Sequence, residues 1–312
     1  MWAYFTRRYQ SQAFLTLVIG PLLPGNNVMT SMSLDGKAFT YVNQLGSSET
    51  DKSVREEWFW CACCPPNVTR LYGSLGGYLW DFGKTADGEA FINVHLYTKA
   101  SLKFEVDGQE VSLEQDSNWP WDGVVKFRLT TPESLTTTIR LRIPGWSRNK
   151  YQLGPALSEG SIDLQKGYLT LNPSYVATNP EFTLTIGNFT ARYIAPHPYT
   201  NQRTLTLTRG PLVYCVEDAD NTWEDNHFKD VGLKATAPIV EEKKSLGEEE
   251  YVALKTSCWL RSLKPVEAGV APGLGVDGEI NAGVEKAAIF VPYSLRANRG
   301  GNGHMRVGLM HV

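Results

Sequence analysis

The sequence predicts a mainly β protein in which a short helical N-terminal part precedes two antiparallel β-sandwiches. Short runs rich in β-branched and aromatic residues follow one another after Trp80, at residues 91–98, 102–106, 124–129, 136–143, 182–186, 204–208 and 212–216. Gly, Pro, Asn and Asp punctuate them, and almost no helical periodicity interrupts them, which is the pattern of sandwiches built from hairpins. The length of 312 residues suits two domains or three small ones.

The elements follow in chain order. Residues 13–24 (AFLTLVIGPLLP) come after Arg7 and Arg8 and have the length of a signal-peptide core. No small-x-small cleavage site follows, so a cytoplasmic protein is expected rather than a secreted one. No apolar run has the length of a transmembrane span. Residues 30–45 alternate apolar and polar positions on both sides of Asp35-Gly36, which predicts a β-hairpin. In residues 66–80, Val68, Leu71, Tyr72, Leu75 and Leu79 recur at steps of three and four, the period of a helix. Pro65 and Pro66 stand at its first turn, where a missing N–H costs nothing. Gly73, Gly76 and Gly77 each weaken that helix by about 1 kcal/mol, which suggests that another backbone approaches closely there. Boundaries are expected near residue 90 and near residues 195–199, giving domains 1–90, 91–198 and 199–312. Residues 240–250 (VEEKKSLGEEE) read as a charged, solvated loop. Asn67-Val-Thr69 and Asn188-Phe-Thr190 match glycosylation acceptors, the first of them unfavourably placed at a helix start.

Hydrophobic residues make up 42% of the chain, which is ample for packed cores, and a net charge of −3 gives no reason to expect nucleic acid or an anionic membrane as partner. Nine Trp and fourteen Tyr serve sandwich cores first and sugar-binding surfaces second. Cys61, Cys63 and Cys64 crowd into four residues, while Cys215 and Cys258 are isolated. An odd count gathered at one point is no disulfide framework; it points to reduced thiols.

The chemistry gathers in CACCPPN at residues 61–67. A thiol just before a helix N-terminus meets free N–H groups and the positive end of the helix dipole, which favour thiolate, both a nucleophile and a metal ligand. Zinc wants four ligands in a tetrahedron, and this segment offers two or three. His95, His197, His227, His304 and His311 are scattered, so no second Cys/His cluster is expected. An inert set of buried cysteines is the competing reading.

The run WFWCACCPPNVTRLYGSLGGYLW at residues 58–80 closely resembles the signature of glycoside hydrolase family 127, the β-L-arabinofuranosidases and their relatives. SLDGKAFTYVNQL (33–45), LRIPGWS (141–147), HPYTNQRTLTLTRGPLVYCVEDADN (197–221) and PYSLRANRGGNGHMRV (292–307) resemble later landmarks of that family in the same order. The resemblance covers residues 28–312 and implies the end of an (α/α)6 barrel followed by two antiparallel β-sandwich domains. It implies a retaining double displacement in which Cys63 is the nucleophile and Cys63 and Cys64 bind zinc, with Cys61 not required. The other zinc ligands, a Glu-x-Cys pair, and the general acid/base glutamate would lie upstream of residue 28, where residues 1–27 carry no counterpart. Glu56 and Glu57 are poor substitutes, because the family shows no catalytic residue there. The chain therefore reads as truncated and inactive alone. The expected partner is an arabinose-containing oligosaccharide or glycoconjugate, with neither nucleic acid nor membrane and with room for a homodimer. A non-catalytic carbohydrate-binding or interaction module and a zinc-binding structural protein stay open as alternatives.

Overall fold

The computed structural model describes residues 32–61, 63, 66, 70, 73–156, 164–200, 202–260 and 283–312. The apolar run at 13–24, Cys64, the glycosylation match at Asn67 and much of the helix expected at 66–80 lie outside the described residues. Contacts divide the described chain into two compact units. The first comprises Phe59–Thr190 with Gly210–Leu212; the second comprises Met32–Trp58, Ala191–Arg209 and Val213–Val312.

In the first unit a short helix, α1 (Gly76–Leu79), leads directly into strand β1 (Trp80–Lys84). Nine strands follow: β2 (Ala90–Val94), β3 (Ala100–Val106), β4 (Gln109–Ser117), β5 (Val124–Thr130), β6 (Thr137–Arg142), β7 (Tyr151–Gly154), β8 (Leu164–Gln165), β9 (Tyr168–Leu171) and β10 (Glu181–Ile186). They form two five-stranded sheets, β1-β2-β6-β9-β8 and β3-β4-β5-β10-β7. In β5, Val125, Phe127 and Leu129 are buried and their neighbours exposed, so strict alternation in the sequence becomes one wet face and one dry face. Both sheets feed one core, with Ile92, Val94, Ile139 and Leu141 from the first and Leu113, Val125, Phe127 and Leu184 from the second. Burying each such aliphatic side chain stabilises the unit by about 1.5–3 kcal/mol. Between β9 and β10 lies α2 (Pro173–Thr178), where Asn172 caps by accepting from the Tyr175 N–H at 2.9 Å and Pro173 opens the first turn.

A mainly β fold is what the sequence predicts, but the pairing is not wholly antiparallel. The chain leaves the first sheet after β2, builds β3, β4 and β5 in the other, and returns in β6 parallel to β2, with Ile92 opposite Ile139. A crossover between layers brings a strand back in its original direction, which no hairpin rule foresees. Gly123 shows how tightly the return is packed: a Cβ there would stand 1.9 Å from the Ile186 carbonyl oxygen. The helix glycines behave otherwise. A Cβ at Gly73, Gly76 or Gly77 meets no atom within 4 Å, so the close approach read from them is not made by the described residues. Asn188, the second glycosylation match, donates its amide to the Trp146 carbonyl at 2.8 Å from a left-handed backbone (φ +63°), which occupies the acceptor nitrogen.

The second unit carries β11 (Ala191–Ile194), β12 (Thr204–Arg209), β13 (Leu212–Glu217), β14 (Val231–Leu233), β15 (Val240–Leu246), β16 (Glu249–Leu260), β17 (Val284–Pro292), β18 (Met305–Arg306) and β19 (Leu309–His311). The hydrogen-bonded path runs β11-β12-β19-β14-β16-β17-β13-β18, and a further β12–β13 pairing closes six of these strands into a ring. The β14–β19 pair is again parallel. Residues 240–250 correct the loop expectation: β15 and the start of β16 form a hairpin from Val240 opposite Lys255 to Leu246 opposite Glu249. Its charges sit on an outer strand, where they blunt an exposed edge, so solvation and strand coexist.

Met32–Trp58 contribute little regular structure. The predicted hairpin at Asp35-Gly36 is a tight turn closed by a single bridge, Met32 opposite Phe39. Arg296 holds the rest of the segment. It is fully buried, and its guanidinium donates to Gln44 Oε1, Ser53 Oγ and Thr40 Oγ1, each at 3.2 Å. Tyr293 OH adds a bond to the Gln44 carbonyl at 2.7 Å.

Candidate functional site

Cys61 and Cys63 are both exposed, and the Cys61 thiol points at the Cys63 sulfur with Sγ atoms 3.8 Å apart. Two thiolates on one tetrahedral zinc with bonds of about 2.3 Å stand about 3.8 Å apart, so this pair has the spacing of two corners of a zinc tetrahedron. The donor chemistry therefore fits the ion that the resemblance implies. The pair that the structure brings together is Cys61 with Cys63, whereas the resemblance names Cys63 with Cys64. Residues 66, 70, 73, 74 and 76–79 are helical, so the thiols precede a helix as expected.

Trp60 is fully exposed and Trp58 largely so, at 102% and 64%. Most other aromatic side chains serve the interior, as in the Phe127–Phe182 stack with ring centroids 4.9 Å apart. Glu56 is paired through its backbone with Phe39, at 2.8 and 2.9 Å, and belongs with Glu57 to the second unit, while Cys63 belongs to the first. Cys215 and Cys258 are buried and inert by comparison: burial pushes the Cys215 thiol well above its ordinary range and Cys258 up to about 12.

The second unit gathers two of the supposedly scattered histidines. His227 and His304 lie ring to ring with centroids 3.9 Å apart, and with Glu49 they form a group whose candidate ligand atoms all fall within 4.8 Å of one another. These three residues could hold a metal ion. His227 Nε2 is 2.9 Å from Glu49 Oε1, and His227 Nδ1 is 2.8 Å from Ser47 Oγ. His304 Nδ1 is 2.9 Å from Glu224 Oε2, and the other Glu224 oxygen accepts the N–H groups of Asn226 and Phe228. His227 and Phe228 both have left-handed backbones, φ +53° and +57°. Such conformations cost of order 1–3 kcal/mol each and persist where surrounding contacts impose them.

Sequence reasoning missed this cluster because Glu49 and His227 are 178 residues apart. The motif at 292–307 held a signal all the same. Arg299 pairs with Glu217 and Asp220, and Asp218 accepts the N–H groups of Asn302 and His304. Gly301, at φ +91°, lets the backbone pass over Asp218, since a Cβ there would stand 2.7 Å from Oδ1. A loop fixed this tightly presents His304 in one orientation.

A mainly β chain with an exposed thiol pair ahead of its first two-sheet unit is the class these observations define. Three family models match in order: "Beta-L-arabinofuranosidase, GH127 catalytic domain" over residues 25–77, "Beta-L-arabinofuranosidase, GH127 middle domain" over 91–179 and "Glycoside hydrolase family 127 C-terminal domain" over 191–309. The chain belongs to glycoside hydrolase family 127. It is 32% identical to the non-reducing end β-L-arabinofuranosidase of Bifidobacterium longum subsp. longum, in a match covering 90% of this chain and 43% of that protein. A solved family 127 β-L-arabinofuranosidase from Geobacillus stearothermophilus T6 superposes with a TM-score of 0.78 at 26% identity, covering 100% of this chain and 48% of that one. A solved protein described only as a glycoside hydrolase superposes with a TM-score of 0.79 at 24% identity, a likeness of fold, again covering 100% of this chain and 50% of its own. The chain thus spans about half the length of the relatives it matches. Among the described residues no helix is long and apolar enough to cross a membrane.

Proposed function

We propose that this chain is the C-terminal part of a retaining glycosidase acting on arabinose-containing oligosaccharides or glycoconjugates, with Cys63 as its nucleophile. The observation that carries the reading is the exposed Cys63 sulfur, 3.8 Å from a second thiol and ahead of a helix, in the stretch matched by the family's catalytic model. Cys63 Sγ would attack the anomeric carbon, forming a C–S bond as the glycosidic C–O bond breaks and the leaving oxygen takes a proton from a general acid. Water would then displace sulfur from the opposite face, so that configuration is retained over two inversions. Zinc held by Cys63 and Cys64 would keep the thiols deprotonated near neutral pH. The general acid and the remaining zinc ligands belong, on the family's pattern, to the part of the relatives' length that this chain does not span. The finer architecture, the end of an (α/α)6 barrel through residue 90 with sandwiches at 91–198 and 199–312, is part of the same proposal. Reduced, exposed thiols suit a reducing compartment such as the cytosol.

The half-length match also favours a second reading, a carbohydrate-binding module without catalysis. An L-arabinofuranosyl bromoacetamide separates the two. On the first reading it alkylates Cys63 far faster than its D-enantiomer does, as mapped by mass spectrometry. Sugar affinity with no preference between the enantiomers at Cys63 would remove the nucleophile assignment and leave the module.

A further inference from the structure

We propose that Glu49, His227 and His304 form a binding site for a divalent transition ion of the zinc class, built from nitrogen and oxygen ligands alone, and that the ion clamps the segment around Glu49 to the second unit's sheet. The hydrogen bonds around the two rings point this way. Ser47 Oγ accepts the Met305 N–H at 2.8 Å and lies 3.2 Å from the Met305 carbonyl, to which it can donate. With its one proton so used, Ser47 Oγ accepts from His227 Nδ1–H at 2.8 Å. His227 Nε2 then turns a lone pair toward the Glu49 carboxylate, 2.9 Å away. Two acceptors at that distance need a cation between them. His304 repeats the pattern: its Nδ1–H donates to the buried Glu224 carboxylate, which leaves Nε2 as a ligand. A ring nitrogen tied to a carboxylate or hydroxyl while the other faces the ion is how proteins fix histidine ligands.

A proton on His227 Nε2 would serve Glu49 as well, but it would place an imidazolium against the His304 ring at 3.9 Å and would use no donor atom of His304. A metal uses all three groups. Two imidazoles and one carboxylate select the zinc class over calcium or magnesium, which prefer oxygen. The Glu49 side chain is 74% exposed, so water has access to complete the tetrahedron. Glu49 also sits where a clamp is useful. It lies between the bridge of Gly46 to Arg306 and the bond from Ser53 N–H to the Gly303 carbonyl, in a segment with few ladder bonds of its own.

The test uses the full 312-residue chain with Cys61, Cys63 and Cys64 replaced by serine, so that no thiol near the first site competes. The protein is stripped with a chelator, loaded with zinc chloride, separated from free ion and analysed by elemental mass spectrometry and X-ray absorption. We expect about one zinc per chain, a nitrogen/oxygen shell with imidazole scattering and no sulfur. Glu49→Ala, a surface change that leaves the fold intact, should weaken zinc binding at least about tenfold, and Glu224→Gln, which alters only the group orienting His304, should weaken it about 10–100-fold. Stoichiometric zinc should raise the melting temperature of the serine variant and fail to raise that of its Glu49→Ala derivative. No retained zinc in the serine variant, or affinity unchanged by Glu49→Ala, would overturn the proposal and leave a proton-bridged cluster.

Discussion

The two places where side chains capable of ligation meet are built in opposite ways. The thiols of Cys61 and Cys63 are neighbours in sequence, exposed, and carried on a short turn ahead of a helix. His227 and His304 are remote in sequence, His227 is wholly buried, and Ser47, Glu49 and Glu224 fix the ring nitrogens. The first is easy to read and geometrically open; the second is hard to read and geometrically nearly complete. A sequence-local motif places donors by chain connectivity alone, whereas a long-range cluster exists only when the whole fold holds it. Losing part of an architecture should therefore damage the first kind of site much more than the second.

Catalysis is where that contrast should be widest. A general acid contributes about 10²–10⁴-fold to such a reaction, so the 312-residue chain alone should hydrolyse an aryl β-L-arabinofuranoside at least that much more slowly than a family member spanning the full length. Turnover at a full-length rate, abolished by Cys63→Ser, would show that the thiol site is already complete.

Thiol reactivity comes next. At pH 8 iodoacetamide should modify Cys61 and Cys63 about a thousandfold faster than Cys258, whose pKa near 12 leaves little thiolate and whose side chain is buried. Peptide mapping after timed quenching reads the ratio. Comparable rates at all the cysteines would remove the distinction between exposed and buried thiols.

A third test concerns the buried arginine that seats the Glu49 segment. Arg296→Met keeps bulk but strands the oxygens of Gln44, Ser53 and Thr40, and should cost about 2–4 kcal/mol in urea unfolding. A loss below about 0.5 kcal/mol, the usual size for a surface site, would mean that water replaces the guanidinium at no cost.

How far the sequence anticipates all this depends on the range of the interaction. The alternation of β5 and β10 is local, and both strands bury the residues it assigns inward. The thiol segment is local too, and its helix begins where Pro66 allows. What escaped the sequence is set by other parts of the chain. The parallel return of β6 beside β2 is decided by which sheet has a vacant edge. The β15 strand was hidden by its lysines and glutamates, which are an edge device as much as a loop composition. His227 gives no local sign of its partner, because nothing near it resembles a ligand spacing; only the stiff Gly301-to-His304 turn, seated on Asp218, hints that a side chain there is being aimed.

The smallest expected effect separates the units by acid. His95 in the first unit is partly buried, with Nδ1 2.7 Å from the Tyr168 hydroxyl, and its pKa is lowered to about 4, chiefly by burial, with Asp81 opposing and Arg142 assisting. Above pH 6.5 the ring is neutral in both the folded and unfolded chains and contributes no pH dependence. Below 6.5 the unfolded chain takes up a proton that the folded unit refuses, so stability falls as pH drops from about 6.5 toward 4. Each pH unit in that window is worth about 1.4 kcal/mol, which amounts to about 2 kcal/mol between pH 7 and pH 5. His95→Gln keeps a partner for Tyr168 and removes the titration. The variant should therefore lose about 2 kcal/mol less than the parent over that interval, with unfolding followed by a probe confined to the first unit, such as the near-ultraviolet signal of the Trp119–Trp146–Phe189 cluster. Parallel acid limbs for parent and variant would show that His95 is protonated in the folded state and that the acid sensitivity of this unit lies elsewhere.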